Sequence, residues 1–227
     1  MSSPNDVKMV ASEDVTPLPP RELLRQVLAA HIIEIPEGCE LVRAAWNEGS
    51  VWPQRVDRVY RFGPPEGMKS GAGFPFFWLY AAEESFTAVW EARFCINPAT
   101  HPGRFMLDAN AADGLIARVS FSCPLRLFDL SGAASSKLGI YDQLRSPDYA
   151  WCQRFGVQLD QILCEHHGEV HGFVYPSRRH PGSRAYAISS RVGVALGASM
   201  HARVGPQPTL GRIVRIWASV PIGPVSS

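Results

Sequence analysis

A chain of 227 residues with 46% hydrophobic and 19% charged side chains has the apolar mass for one compact domain with a substantial core. Its formal net charge of +1 excludes the basic footprint that holds nucleic acid or an anionic membrane surface, and no stretch approaches the length needed to span a bilayer. Five cysteines without C-x-x-C spacing read as free thiols in a reducing compartment, and the opening MSSPNDVKMVASEDV lacks an apolar signal core, so the expected location is cytoplasmic.

In chain order, residues 1 to 19 are polar and proline-rich and are expected to form a mobile leader, with residues 20–227 making a single domain. Pro20 opens a helix in which Leu23, Leu24, Val27, Leu28 and Ile32 recur at helical spacing, docking it on the main body. The stretch IIEIPEGCELVRAAW then turns into a first strand that carries Arg43. The run PPEGMKSGAG (64–73) is rich in Pro and Gly, which predicts a turn-rich loop and no new element.

The segment FFWLYAAEESFTAVWEARF (76–94) is the most informative. Phe76, Trp78 and Tyr80 alternate with Phe77 and Leu79, the period-two pattern of a strand buried on both faces. Ser85 is the expected N-cap of a helix that buries Phe86, Val89, Trp90 and Phe94. Glu91 lies beside that stripe, one turn after Thr87, where a carboxylate can face a cleft. A solvated helix Glu and an ordinary core Tyr80 are the plainer alternatives for this segment.

Residues 115–130 read as one or two strands interrupted by Pro124, and DYAWCQRFGVQLDQILCEHHG as a helix ending at Gly168, with His166 and His167 at its C-terminus. HGFVYPS is a strand running into a turn, and TLGRIVRIWASVPI (209–222) a final β-rich segment. The densest basic cluster, SRRHPGSR (177–184), is either a solvated loop or a phosphate-binding rim beside Ser177. Strands outnumber helices and no βαβ repeat is evident, so the expected class is α+β, with two packed β-sheets and flanking helices.

Several chemistries lack their parts. Gly71 and Gly73 begin a G-x-G, but Phe76 breaks the dinucleotide fingerprint. His167 and His171 are four apart without an H-E-x-x-H, so no metal is expected. Neither a G-x-S-x-G elbow nor a Walker lysine is present.

Arg43 in ELVRAAW, Arg61 in VYRFG, Tyr80 in WLYAAEE, Glu91 in AVWE and Ser177 in GFVYPSRRHPG, together with FDLSG (128–132), resemble the RES-domain family in order and in most spacings, from about Leu41 to about Ser190. The chain departs from that pattern at Tyr60, where relatives commonly carry Gly. It also has extra residues at 64–73, which leaves Arg58 as an alternative to Arg61 for the second Arg, and it lacks the Asn that often follows the Pro-Ser turn.

The resemblance implies a fold similar to that of ADP-ribosyltransferases, with NAD as substrate and no cofactor. It implies the toxin of a toxin–antitoxin pair, which depletes NAD by hydrolysis or phosphorolysis and is covered by an Xre-type antitoxin. Glu91, Arg43 and Tyr80 would then be catalytic. Arg43 and Arg61 would hold the pyrophosphate through their planar forks, while Tyr80 stacks on a heterocycle and Ser177 holds the nicotinamide amide or a ribose hydroxyl. Glu91 would stabilise the positive charge that develops on the ribose as the glycosidic bond breaks. Two other readings stand beside this one: a mono-ADP-ribosyltransferase that modifies a protein, and a domain that binds a partner without turnover. The acceptor, the choice between NAD and NADP, and homo-oligomer formation stay open.

Overall fold

The computed structural model describes residues 16–97, 100, 106–108, 111, 114–166, 168–191 and 200–204. Its strands are β1 (Ile32–Ile35), β2 (Leu41–Ala45), β3 (Trp78–Ala82), β4 (Cys95–Ile96), β5 (Met106–Leu107), β6 (Leu115–Phe121), β7 (Leu125–Asp129), β8 (Gly172–Pro176), β9 (Arg184–Ser189) and β10 (Met200–Val204). Its helices are α1 (Arg21–Ala29), α2 (Ser85–Glu91), α3 (Ala133–Lys137) and α4 (Tyr149–Glu165). Eight strands hydrogen-bond in the order β1-β7-β8-β9-β3-β2-β6-β10, and β4 pairs with β5 as a separate ribbon. The β7–β8 neighbours run parallel and the others antiparallel.

The α+β class is as expected, with one correction to its layering. The two layers are halves of one sheet, because β3 and β9 pair along five residues, from Trp78↔Ser189 to Ala82↔Ala185, and leave no free edge between them. The sheet curls so that one face closes on itself. Ile35, Leu125, Leu127 and Val174 from one half share an apolar cluster with Leu41, Leu115, Val119 and Phe121 from the other. Across that curl, Gly38 N donates to Phe121 O at 2.8 Å.

The opposite face is divided between two sets of helices. Trp78, Phe128, Phe173 and Tyr175 pack against residues of α1, α3 and α4. Val42, Ala44 and Ala82 pack against Ala88, Val89 and Trp90 of α2. Strand β3 is the seam, since Trp78 belongs to one cluster and Ala82 to the other.

Local differences from the sequence reading have physical causes. Glu84, with extended φ/ψ of −125° and 147°, occupies the cap of α2, and Ser85 is already its first helical residue, so no side chain caps this helix. Burial of Thr87, Ala88, Val89 and Trp90 holds it in place instead. In α1 the buried stripe is Leu24 and Leu28, while Leu23 faces solvent and Ile32 opens β1. Thr16 to Pro19, assigned above to the leader, lie against α4: Arg154, Trp151 and Gln158 donate to the carbonyls of Thr16, Pro17 and Pro19. Asp148 caps α4 by accepting from Trp151 N. Strands β6 and β7 flank Pro124 as expected. Residues 64–73 hold one 3-10 turn (Glu66–Met68) and a tight Ser70↔Gly73 bridge. The segment 209–222 lies outside the described residues. Among the described residues no helix is long and apolar enough to cross a membrane.

Candidate active site

Strand β3 fixes the loop that carries Arg61. Trp78 Nε1 donates to Phe62 O at 2.7 Å, and Phe62 N donates to the Tyr80 hydroxyl at 3.1 Å, so two aromatic side chains hold both main-chain groups of Phe62. The Phe62 ring then packs edge-on against Phe173 and Tyr175, at centroid distances of 5.2 and 5.0 Å. Helix α4 approaches from the other side, where a Cβ on Gly156 would stand 1.8 Å from Phe62 O. Only glycine allows that contact.

This packing buries Arg61 to 9% exposure. Its Nη2 donates to Leu144 O and, at 3.2 Å, to Ser146 O, and its guanidinium sits 4.9 Å from the Phe62 centroid and 6.0 Å from that of Tyr175. Nε has no partner, and no carboxylate pairs with Arg61 among the described residues. A buried cation without a counter-ion is costly, and an arriving anion lowers that cost.

Glu91 ends α2 and meets the far half of the sheet. Ser177 Oγ donates to its Oε1 at 2.6 Å, and the Tyr175 hydroxyl donates to its Oε2 at 3.1 Å. Ser177 Oγ also accepts from His180 N at 3.0 Å. His180 returns to α2 in turn, with Nδ1 2.8 Å from Thr87 Oγ1 and 2.9 Å from Ser183 Oγ. Burial, with a contribution from Glu91, holds the Tyr175 phenol well above its usual range, and burial raises that of Tyr80 as well. Both therefore stay protonated, and Tyr175 stays a hydrogen-bond donor to the carboxylate.

Arg43 is placed differently. In β2 it shares the face of Leu41 and Ala45, which point to the curled core, and alternates with Val42 and Ala44, which face α2. Strand β2 registers with β3 at Val42↔Ala82. Beyond that pair the guanidinium takes over: Nη1 donates to Tyr80 O at 2.6 Å, while Nε and Nη2 donate to Ser50 O at 3.1 and 2.8 Å. Burial pushes the group down to about 10, opposed by the phenols of Tyr60 and Tyr80, so it remains a cation at neutral pH. The structure thus brings Glu91, Ser177, Tyr80 and Arg61 around Tyr175, and it ties Arg43 to the backbone of Tyr80.

A cleft of about 490 Å³ opens beside this group, lined by Trp90, Arg93, Asn97, Pro147, Tyr149, Arg178 and Arg179. Arg93 is the one non-glycine residue with positive φ (63°) among the described residues. That conformation costs an L-residue roughly 1–2 kcal/mol. Sequence reasoning did not single out Tyr175, Gly156 or Arg93. Tyr175 shares strand parity with Ser177 in HGFVYPS, a signal that could have paired them, whereas Gly156 and Arg93 have no local sequence signature.

The sheet, the carboxylate held by two hydroxyls and the arginine-lined cleft define an α+β domain with a polar cleft at a seam in its sheet. The RES domain family matches residues 42–208, well over half of the chain, and the chain belongs to that family. No curated protein matches it.

Proposed function

We propose that this RES-domain protein cleaves the nicotinamide–ribose bond of NAD. The observation that carries the reading is Glu91: a half-buried carboxylate aimed by Ser177 and Tyr175, which makes no direct Lys or Arg ion pair among the described residues. When the bond between C1′ and the nicotinamide nitrogen breaks, neutral nicotinamide leaves with the electron pair and positive charge develops on the ribose. A fixed anion stabilises that charge more than it stabilises bound NAD, which is the requirement for catalysis. Water then adds at C1′ and loses a proton to give ADP-ribose, or phosphate adds to give its 1-phosphate ester.

The neighbouring side chains support this chemistry. The half-buried Tyr80 ring, tilted against Tyr60 at a centroid distance of 6.1 Å, would form an aromatic wall for a heterocycle, and Arg61 would supply positive charge behind it. Ser177 spends its proton on Glu91, which suits it to orienting the carboxylate more than to holding the nicotinamide amide. Arg43 fixes the main chain under Tyr80. In a cell such an activity suits the toxin of a toxin–antitoxin pair, with an Xre-type antitoxin covering the cleft.

The test is to incubate the purified protein and Glu91→Ala with NAD, with and without phosphate, and to separate nicotinamide, ADP-ribose and phosphorylated ADP-ribose. Nicotinamide release by wild type alone supports the reading, and dependence on phosphate names the acceptor. Nicotinamide release that requires an added protein, which becomes labelled, would move the assignment to protein ADP-ribosylation. No release under any condition would refute it.

A further inference from the structure

Arg93 sits where a helix of this geometry ordinarily ends in glycine. Phe94 N donates to Val89 O at 3.1 Å and Arg93 N to Trp90 O at 3.0 Å, the paired bonds of a Schellman cap, and they place Arg93 at its left-handed position with φ 63°. An L-residue is strained there and glycine is not. Residues held in sparsely populated backbone regions cluster at active sites and ligand clamps. Here the strained residue lies two positions after Glu91, just past the Ala92 cap of α2, and it lines the cleft with Arg178 and Arg179.

None of the three arginines makes an ion pair among the described residues. Burial, with the like charges of Arg61 and Arg179, lowers the proton affinity of Arg178, opposed by Tyr149 and by Glu91. Arg43 and Arg61, expected to hold a pyrophosphate, both direct guanidinium donors at main-chain carbonyls. The open forks are those around the cleft, and guanidinium groups without carboxylate partners are what a polyphosphate requires.

We propose that Arg93, Arg178 and Arg179 form an anion subsite that takes the diphosphate of a nucleoside diphosphate or dinucleotide. The identity of the full ligand rests on the NAD reading above, whereas the diphosphate subsite stands on the geometry of the cleft. Bound there, the diphosphate would place the ribose beyond it towards Glu91. The competing explanation for Arg93 is that a cation simply complements the dipole at the end of α2. Replacement of Arg93 by glycine separates them: loss of a dipole-complementing cation lowers stability, whereas relief of strain leaves it unchanged or raises it.

The experiment measures ADP binding by calorimetry and thermal unfolding for wild type, Arg93→Gly and Arg179→Ala. The expected result is that each variant binds ADP at least about tenfold more weakly, a loss of one anchoring contact. At the same time Tm is unchanged for Arg179→Ala, and for Arg93→Gly it is unchanged or about 2–4 °C higher as backbone strain is relieved. ADP affinity unchanged in both variants overturns the subsite. A lower Tm with unchanged affinity in Arg93→Gly returns that residue to a helix-end role. The two proposals fail separately: a wild-type protein that binds ADP through these arginines but leaves NAD intact sinks NAD cleavage and keeps the subsite. A protein that cleaves NAD equally well in both variants does the reverse.

Discussion

Ser177 Oγ donates to Glu91 Oε1 at 2.6 Å across 86 positions of chain, and the same hydroxyl accepts the main-chain N–H of His180 at 3.0 Å. One buried oxygen thereby aims the carboxylate and anchors the loop that carries Arg178 and Arg179. Thr87, one turn before Glu91, closes the circuit by bonding the His180 ring. The helix bearing the carboxylate and the turn bearing its donor are thus joined at two points.

Glu91→Gln keeps the size of the side chain and removes its charge. NAD cleavage should fall by about 100–1,000-fold, the usual cost of losing one electrostatic contact at a transition state. Thermal unfolding should barely move, since the Ser177 and Tyr175 hydroxyls can rotate to meet an amide. A matching loss of Tm would mean that Glu91 is structural.

Ser177→Ala leaves His180 N without an acceptor in a site where Ser177 is 1% exposed. The expected cost is about 1–3 kcal/mol of stability, read by denaturant titration. Turnover should fall while the Michaelis constant changes little, because the loss concerns the aim of Glu91. A variant with wild-type turnover would remove Ser177 from that role.

Gly156→Ala tests the loop from behind. The new Cβ would meet Phe62 O at 1.8 Å, so either α4 or the Arg61–Phe62 main chain must move. Overpacking of this kind costs about 1–3 kcal/mol. Because Trp78 and Tyr80 grip Phe62, the displacement should also raise the Michaelis constant for NAD. A Gly156→Ala protein with wild-type Tm and kinetics would contradict the close approach.

Burial lowers the proton affinity of His180, opposed by Glu84, and that of His171, where Arg126 adds to the effect. Both side chains therefore favour the neutral form when folded, and the unfolded chain binds protons first as pH falls through the ordinary value of 6.5. The stability they contribute is fully present above that pH and is lost below it. Measured from pH 7.5 to 5.5, Tm should decline, and the His180→Asn, His171→Asn double variant should decline less. An equal slope in both proteins would assign the acid sensitivity to other groups.

The strand and helix at 76–94 are legible because their patterns are local: both faces of β3 are buried at successive residues, and α2 repeats its apolar side chains once per turn. The start of α2 is less so, since Ser85 has the chemistry of a cap but packing of Val89 and Trp90 sets the phase. The Glu91–Ser177 pair is accessible only through the family pattern, because contacts over such separations leave no periodic trace. Tyr175, 84 residues from Glu91, reads as a core strand residue, which by burial it also is. Arg43 shows a different limit. The same planar fork that suits a phosphate also suits two main-chain carbonyls, and only the register of β2 against β3 decides between them. Likewise, the curl that makes one sheet out of two expected layers depends on β9 choosing β3 as its neighbour.

That choice of neighbour also sets when the site can exist. Glu91 emerges early in synthesis, yet its two donors arrive with β8 and the turn after it, and β9 must then slot between β8 and β3 through Ser189. Pairing at such sequence separation forms late in folding. A nascent chain or an N-terminal fragment therefore carries the carboxylate without its geometry, and the acquisition of activity reports that the whole sheet has closed.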